Sequence, residues 1–317
     1  MKTPTILVIN PMADRHIATI TNAVPGAVIR SVGTEEAPAN ISDADILVTW
    51  GWYDLEPLLT CAPKLQWVHS LSAGVESLLS PAVVNGNIIL TNSKGIHSIP
   101  VSEHVLALML AFSRDLPQMF RNQANKEWKR PVVLDELHEK TVGIVGLGSI
   151  GREIAKKCKA LGMRVLGVKQ VLSTELFIDH LYASSQLDEV LPQCDYIISA
   201  TPLVEETKEL FDEARFSLMK DGAVFINIAR GGVVVEQALI DALNSGKLRG
   251  AGLDVFVTEP LPAEHPFWAM ENVIVSPHIA GISPLYLDRA IKLFADNLSR
   301  YLDGRDMLNV VDKKRGY

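Results

Sequence analysis

Three segments in the second half of the chain carry side chains that could do acid–base chemistry beside an anion-binding arginine. Ile226-Asn-Ile-Ala-Arg230-Gly-Gly-Val-Val ends an apolar run with an arginine next to two glycines. A guanidinium in that place can grip a carboxylate through two parallel hydrogen bonds. Gly252-Leu-Asp254-Val-Phe-Val-Thr-Glu259-Pro-Leu-Pro262 sets Asp254 at the end of another apolar run and Glu259 in the loop beyond it. Val275-Ser-Pro-His278-Ile-Ala-Gly281 places a histidine after a proline in a glycine-bearing loop. Of eight histidines, His278 is the best placed to titrate usefully; His69, His97, His104, His138 and His265 read as structural or surface residues. Each segment alone has an ordinary alternative, a surface arginine or a pair of loop acids. Together they form a coherent set. Arg230 would anchor a carboxylate and polarise the adjacent carbonyl. Glu259 would hold the imidazole ring and favour its charged form. His278 would then give its proton to the alkoxide that forms as a hydride reaches the carbonyl carbon.

A hydride needs a carrier, and the middle of the chain has a site for one. In Thr141-Val-Gly-Ile-Val-Gly-Leu-Gly-Ser-Ile-Gly151 an apolar run feeds into Gly146-x-Gly148-x-x-Gly151, and helix-like sequence follows from Ile154 to Leu161. Strand, tight glycine turn and helix in that order are what a dinucleotide-binding unit requires. Gly146 permits the turn, Gly148 admits a pyrophosphate to the backbone, and Gly151 lets the helix pack against its strand. Free N–H groups at the helix start would face the phosphates. A purely structural glycine turn is the alternative.

Other chemistries find no support. No serine lies in a Gly-x-Ser-x-Gly elbow, and Cys61, Cys158 and Cys194 have no motif context. Neither a His-Glu-x-x-His segment nor a cysteine cluster offers a metal site. The net charge of −7 comes without a basic stripe, which argues against nucleic acid. Three scattered cysteines fit a reducing compartment. The start, Met-Lys-Thr-Pro-Thr-Ile-Leu-Val-Ile-Asn, reads as too short and too quickly polar for a secretory signal, and Val105–Phe112 is far too short to span a membrane. The expectation is a soluble cytoplasmic protein.

The elements that would position these groups alternate along the whole chain. The 317 residues are enough for two domains. Short, apolar, β-branched runs predict strands at Thr5–Ile9, Ala27–Ser31, Ile46–Thr49, Trp67–His69 and Ile88–Thr91 in the first part. After Gly151 the runs are Arg164–Val168, Tyr196–Ser199, Ala223–Ile228, Gly250–Asp254 and Val273–Ser276. Helices are predicted at Gln186–Leu191, Asp212–Ser217, Glu236–Asn244 and Leu285–Leu302, with Gly246 as a left-handed cap. Pro100 would open a long helix through Phe112, apolar on nearly all sides and so buried between layers or subunits; Pro117 would fall in its last portion or a bend. The tail Lys313-Lys314-Arg315 reads as a solvated end.

At this point the residues resemble a known family, the D-isomer-specific 2-hydroxyacid dehydrogenases, in a glyoxylate/hydroxypyruvate reductase-like form. The resemblance spans almost the whole chain. It rests on Ser72-Ala-Gly74-Val75-Glu76, Thr91-Asn-Ser-Lys-Gly95, Val101-Ser-Glu103-His104, Gly146–Gly151, Thr201-Pro202-Leu203 followed by Glu206-Thr207, and the three segments above. It implies that Arg230, Glu259 and His278 are catalytic, and that Ala73, Gly74 and Val75 take the substrate carboxylate through backbone N–H groups. It implies cofactor contacts at Gly146, Leu147, Gly148, Ser149, Ile150, Gly151, Lys169, Gln170, Thr201, Pro202, Thr207, Ile228, Ala229, Ala280 and Gly281, with Asp254 against the nicotinamide. The implied fold is α/β: two Rossmann-like or flavodoxin-like domains with parallel sheets and the catalytic cleft between them. Residues 1–98 plus 285–317 would form the substrate domain, and the dinucleotide-binding domain, 99–284, would be inserted into it. A homodimer through the cofactor domain is implied as well.

Three departures from the family pattern matter. In Arg164-Val-Leu-Gly-Val168-Lys169-Gln170, a lysine stands where NAD-preferring members carry an aspartate for the adenosine ribose. A 2′-phosphate would be welcomed there, so NADP is the preferred cofactor, with NAD bound without the usual acid as the alternative. Glu139 replaces a frequent glycine, a change expected to touch only a surface turn. Trp50-Gly-Trp52-Tyr53 is a local signature, and Trp50 could wall a substrate pocket or pack in the core. The expected activity is NAD(P)H-dependent reduction of a 2-oxoacid, glyoxylate, hydroxypyruvate or a larger one, to the D-2-hydroxyacid. A non-enzymatic dinucleotide-sensing protein on the same fold is the alternative. A formate-dehydrogenase-like activity is disfavoured by Ser276-Pro277 before His278.

Overall fold

The computed structural model describes residues 3–130 and 134–314; Arg315 and the first two residues lie outside them. The chain forms two compact units, one of residues 1–96 with 283–317 and the other of residues 97–282.

The first unit is built on five strands, β1 (Thr5–Ile9), β2 (Val28–Val32), β3 (Ile46–Thr49), β4 (Trp67–Ser70) and β5 (Ile89–Thr91). All pair in parallel in the order β2-β1-β3-β4-β5. Strand alternation splits their side chains between two cores. Leu7, Leu47 and Val68 pack on one face of the sheet, and Ile6, Val8, Ile46, Val48 and Trp67 on the other. The second face is covered by the C-terminal helix Tyr286–Leu302, which buries Ala290, Ile291, Phe294 and Leu298. Lys313 is no solvated end. Its ammonium donates to the carbonyls of Val83, Gly86 and Ile88 at 2.9, 2.7 and 3.2 Å, which ties the tail to this unit.

The second unit holds β6 (Thr141–Val145), β7 (Arg164–Lys169), β8 (His180–Ala183), β9 (Tyr196–Ser199), β10 (Ala223–Asn227), β11 (Leu248–Leu253) and β12 (Val273–Val275). They form a parallel seven-stranded sheet in the order β12-β11-β10-β9-β6-β7-β8. The order reverses between β6 and β9, the position where open α/β sheets take ligands at their carboxyl ends. On β10, Ala223 and Phe225 face one core while Val224 and Ile226 face the other. The helix Ser98–Ser113 packs Val101, Val105, Leu108 and Met109 into the second of these. It leaves Ala107 and Leu110 exposed, so it is not enclosed on every side within the chain. Pro117 is the second residue of a separate helix, Leu116–Ala124, which begins after Asp115 turns through φ 52°. Edge strand β8 is the strand without a sequence counterpart. Glu139 adopts φ 63°, which accounts for the glycine common at that place in the family and adds backbone strain that a glycine would not.

One buried network in the first unit has a measurable pH signature. Trp67 Nε1 donates to Thr91 Oγ1 at 2.8 Å, and Thr91 Oγ1 lies 2.8 Å from His69 Nδ1. The indole can only donate, so the Thr91 proton is left for Nδ1. Ser93 Oγ donates to Ser70 O and lies 3.3 Å from His69 Nε2, so it accepts the Nε2 proton. The neutral ring is thus satisfied at both nitrogens, and burial pushes the His69 pKa down to about 3. Unfolded, the ring takes up a proton near pH 6.5; folded, it does not. Stability is therefore fully present above about pH 6.5 and is lost as pH falls toward 3, by up to ~1.4 kcal/mol per pH unit for this proton. Between about pH 6.5 and 5.5 few carboxylates titrate. Thermal melts over that window should show a shallower acid slope in His69→Leu than in the parent, whatever the absolute stability lost; equal slopes would remove His69 as the source.

Candidate active site

The glycine turn follows β6. Gly146 has φ 105°, and its N–H bonds Val168 O on β7 at 3.0 Å. A Cβ on Gly146 would lie 2.6 Å from Ala200 O and 2.8 Å from Thr201 N, so the turn is pressed against the end of β9. A Cβ on Gly151 would meet Gly146 O at 2.1 Å, which is the close helix–strand approach expected of the third glycine. Gly148 differs. Nothing lies within 4 Å of a Cβ built there, so the protein's own packing does not demand glycine at this position. The helix Ser149–Ala160 starts on Gly148 without a side-chain cap, and its first N–H groups have no intrahelical acceptor. Those features fit the diphosphate of a dinucleotide. Gly148 and Ser149 are exposed and Ile150 half-buried, whereas Leu147 is 3% exposed and packs in the core, so only its backbone is available to a cofactor. Thr207 serves the turn beside Thr201 and Pro202: its hydroxyl donates to Pro202 O at 2.5 Å and accepts from Val204 N at 2.9 Å.

The end of β7 departs most from expectation. Lys169 is not an open cation: its ammonium pairs with Glu175 and donates to Ser173 Oγ at 2.7 Å. Arg152, in the first turn of the glycine-loop helix, also grips Glu175, through Nε at 2.7 Å and Nη2 at 2.9 Å. Gln170 is exposed beside this cluster.

The ends of β10, β11 and β12 carry the acid–base residues. Asn227, buried at the end of β10, accepts from Ala229 N at 3.1 Å and donates to Arg230 O at 3.1 Å. This side-chain clamp fixes the Ile228–Ala229 turn and presents Arg230, which is exposed and donates through Nη1 to Ala229 O at 2.7 Å. Glu259 accepts from Phe256 N at 2.9 Å with Oε1 and lies 2.7 Å from His278 Nδ1 with Oε2. A carboxylate can only accept, so Nδ1 carries the proton and Nε2 is the ring atom left for chemistry. Burial pushes the Glu259 carboxyl up, but the hydrogen bonds from His278 and Phe256, with the charges of His278 and Arg230, bring it net below its ordinary value.

Asp254 sits between them and is 2% exposed. Its Oδ1 accepts from Ser276 Oγ at 2.6 Å and Ile279 N at 3.0 Å, and Oδ2 from Ala280 N at 2.9 Å. The carboxylate therefore holds both flanks of His278, whose own backbone takes φ 53°. Two histidines read as structural or surface belong to this site. His104 Nε2 lies 3.0 Å from Ser276 Oγ; the serine proton goes to Asp254, so His104 donates. His97 adjoins Gly281, where a Cβ would come within 2.9 Å of its ring. Burial first, then the charge of Arg230, hold His97 below its ordinary pKa. Their positions depend on which strands end together, which sequence spacing does not show.

The other predicted residues lie in the first unit. Asn92 Nδ2 donates to Ala73 O at 2.8 Å, and Ser72 Oγ to Gly74 O at 3.1 Å. A planar trans peptide points its N–H opposite its carbonyl, so the N–H groups of Gly74 and Val75 face away from these anchors. Trp50 donates from Nε1 to Asn10 Oδ1 at 3.1 Å and stacks on Tyr286 with ring centroids 5.8 Å apart. Trp50, Trp52, Asn10 and Thr34 line a concavity at the ends of β1, β2 and β3. Among the described residues no group of histidine, cysteine and acid side chains could hold a metal ion.

The sequence profile of the D-isomer specific 2-hydroxyacid dehydrogenase NAD binding domain matches residues 106–280. The chain belongs to the D-isomer-specific 2-hydroxyacid dehydrogenase family. A family protein from Aeromonas salmonicida subsp. salmonicida superposes with a TM-score of 0.85 at 34% identity, covering 98% of this chain and 100% of that one. An NADPH-dependent glyoxylate/hydroxypyruvate reductase from Sinorhizobium meliloti, solved with NADP and sulfate, superposes with a TM-score of 0.80 at 30% identity over 100% of both chains. The chain is 32% identical to a D-3-phosphoglycerate dehydrogenase of Methanocaldococcus jannaschii over 97% of its own length, but spans only 59% of that relative.

Removing the Asp254 carboxylate leaves the Ser276 hydroxyl and two backbone N–H groups without their acceptor. Asp254→Ala should lower stability by about 2–4 kcal/mol. Denaturant melts should show this loss; a variant within about 0.5 kcal/mol of the parent would mean the loop is held by other contacts.

Proposed function

We propose that this protein is an NAD(P)H-dependent D-2-hydroxyacid dehydrogenase. In this reading it reversibly reduces a small 2-oxoacid, of the glyoxylate or hydroxypyruvate class, with NADPH as the preferred carrier. The observation that carries the reading is the 2.7 Å pair of Glu259 and His278 in the unit that contains the matched NAD-binding domain. The substrate class draws on the reductase from Sinorhizobium meliloti, and the preference for NADPH on the two cations, Arg152 and Lys169, that meet beside the glycine turn.

A reduced nicotinamide, when bound, supplies the hydride. The residues do the rest. Arg230 binds the carboxylate of the 2-oxoacid and draws electron density toward the carbonyl oxygen, which eases hydride arrival at the carbon. His278, held by Glu259 through Nδ1, keeps a proton on Nε2 and releases it to the oxygen as the carbonyl becomes an alcohol. Glu259 fixes the ring through Nδ1 and faces it with a carboxylate, the counter-charge for an imidazolium. Asp254 fixes the approach of His278 through the loop it anchors. Gly74 and Val75 N–H groups are further carboxylate donors, and Trp50 is a wall of the side-chain pocket. A second copy of the chain is the proposed partner, on the strength of the exposed Leu110, Phe120 and Trp128 side chains.

A matrix of both reduced dinucleotides against glyoxylate, hydroxypyruvate, pyruvate and phenylpyruvate, read as kcat/KM, tests the reading. Turnover should be highest with NADPH and either glyoxylate or hydroxypyruvate; no oxidation of either dinucleotide with any of the four acids would end it. His278→Ala should lower kcat by about 10²–10⁴-fold while dinucleotide binding is retained. An unchanged kcat would take the acid role from His278.

A further inference from the structure

The cluster at the end of β7 has more donors than a loop needs. Gly146 N–H is bonded to Val168 O, so Lys169 directly adjoins the glycine turn. Arg152 follows Gly151 in the helix that starts there. Both cations, with the Ser173 hydroxyl, converge on the one carboxylate of Glu175. Oε1 receives Arg152 Nη2 at 2.9 Å, Ser173 Oγ at 3.1 Å and the Lys169 ammonium, and Oε2 receives Arg152 Nε at 2.7 Å. The Glu175 side chain is 5% exposed, whereas that of Arg152 is 51% exposed. A guanidinium fork, an ammonium and a hydroxyl aimed at one point are the donor set of a phosphate monoester. The second strand of a dinucleotide-binding sheet is where the 2′ position of the adenosine ribose is read.

We propose that Glu175 is an internal stand-in for the 2′-phosphate of NADP: it occupies the donors of Arg152, Lys169 and Ser173 until that phosphate displaces it. The proposal rests on the cofactor reading above and names the residue that sets its selectivity. The charge count decides between displacement and cohabitation. Arg152 and Lys169 with Glu175 sum to +1. A phosphate monoester of about −2 leaves the site near neutral if Glu175 swings out, and near −1 if it stays. The carboxylate and the phosphate also need the same fork of Arg152, and two anions cannot share it. The hydrogen bond from Arg152, with those from Lys169 and Ser173, draws the Glu175 pKa down to about 2, so the competing anion is charged at neutral pH. Glu175 therefore restrains NADP binding and leaves NAD, which lacks the phosphate, nearly indifferent to it.

Calorimetric titration of NADPH and NADH into the wild-type protein, Glu175→Gln and Arg152→Ala tests this without reference to turnover. Glu175→Gln should bind NADPH about tenfold more tightly, with NADH within about threefold. Arg152→Ala should lose about tenfold or more for NADPH, again with little change for NADH. The reverse selectivity, in which Glu175→Gln loses NADH affinity, would make Glu175 a ribose-hydroxyl ligand and overturn the proposal. Unshifted NADPH affinity in either variant overturns it too. A wild-type protein that binds both dinucleotides while the variants are unshifted sinks this assignment alone; one that binds neither sinks the cofactor reading with it.

Discussion

The Asp254 carboxylate, buried at the carboxyl end of β11, is the interaction on which the placement of His278 depends. Three donors reach it, and all three belong to the 276–280 segment. A charge at 2% exposure is tolerable only when its lone pairs are met, and a loop that meets them is held with little freedom. That restraint lets His278 remain in the left-handed region, an uncommon conformation for a residue with a side chain, where its ring reaches Glu259. Asn227 does for Arg230 what Asp254 does for His278, by tying the next strand's exit turn through its amide. The strand ends therefore deliver side chains through polar clamps rather than through apolar packing.

The glycine turn and the β7 end obey a different constraint. Gly146 and Gly151 are dictated by backbone contacts inside the protein, while Gly148 has open space before it. The same motif thus contains two positions set by the chain's own packing and one, Gly148, that this packing does not set. Beside it, Lys169 shows that a charge read singly is an incomplete description. A lysine replacing an acid predicts a site more attractive to phosphate; the partner that tempers it lies six residues further along the chain.

Much of the fold was legible because most of its strands are covered on both faces. Uninterrupted apolar, β-branched runs mark β1, β3, β6, β9 and β10, and the observed bounds fall within about two residues of those runs. β8 escaped because an edge strand of His180-Leu-Tyr-Ala is only partly buried and shows no such run. At the candidate site, Arg230, Glu259 and His278 were legible as side chains on loops after apolar runs, and the structure pairs Glu259 with His278. Asp254 was legible by position; the family resemblance set it against a nicotinamide, and the structure adds that its carboxylate fastens a loop. His97 and Glu175 gave no signal and His104 only one as part of the Val101-Ser-Glu103-His104 motif, since each acquires its meaning from elements distant in sequence or from the fold of one loop. Lys313 shows the same limit at the tail, where three carbonyls, not solvent, receive it.

Burial separates what these carboxylates can do. Asp254 is enclosed, and its hydrogen bonds come from neutral donors, two backbone N–H groups and a hydroxyl, with His104 Nε2 3.8 Å away, so it acts as an anchor for the loop. Glu259 is about one-third exposed, and one of its two oxygens faces a ring that can change charge. Its attraction for His278 therefore differs between the two protonation states of the ring, which is the property a proton-donating pair requires. Glu175 is nearly as enclosed as Asp254 but meets full cations, so its contacts have more Coulombic energy and depend on those cations having no better anion. A loop anchor, a partner of an imidazole ring and a counter-ion thus arise from one functional group, and solvent access with the charge of the donors decides which it becomes.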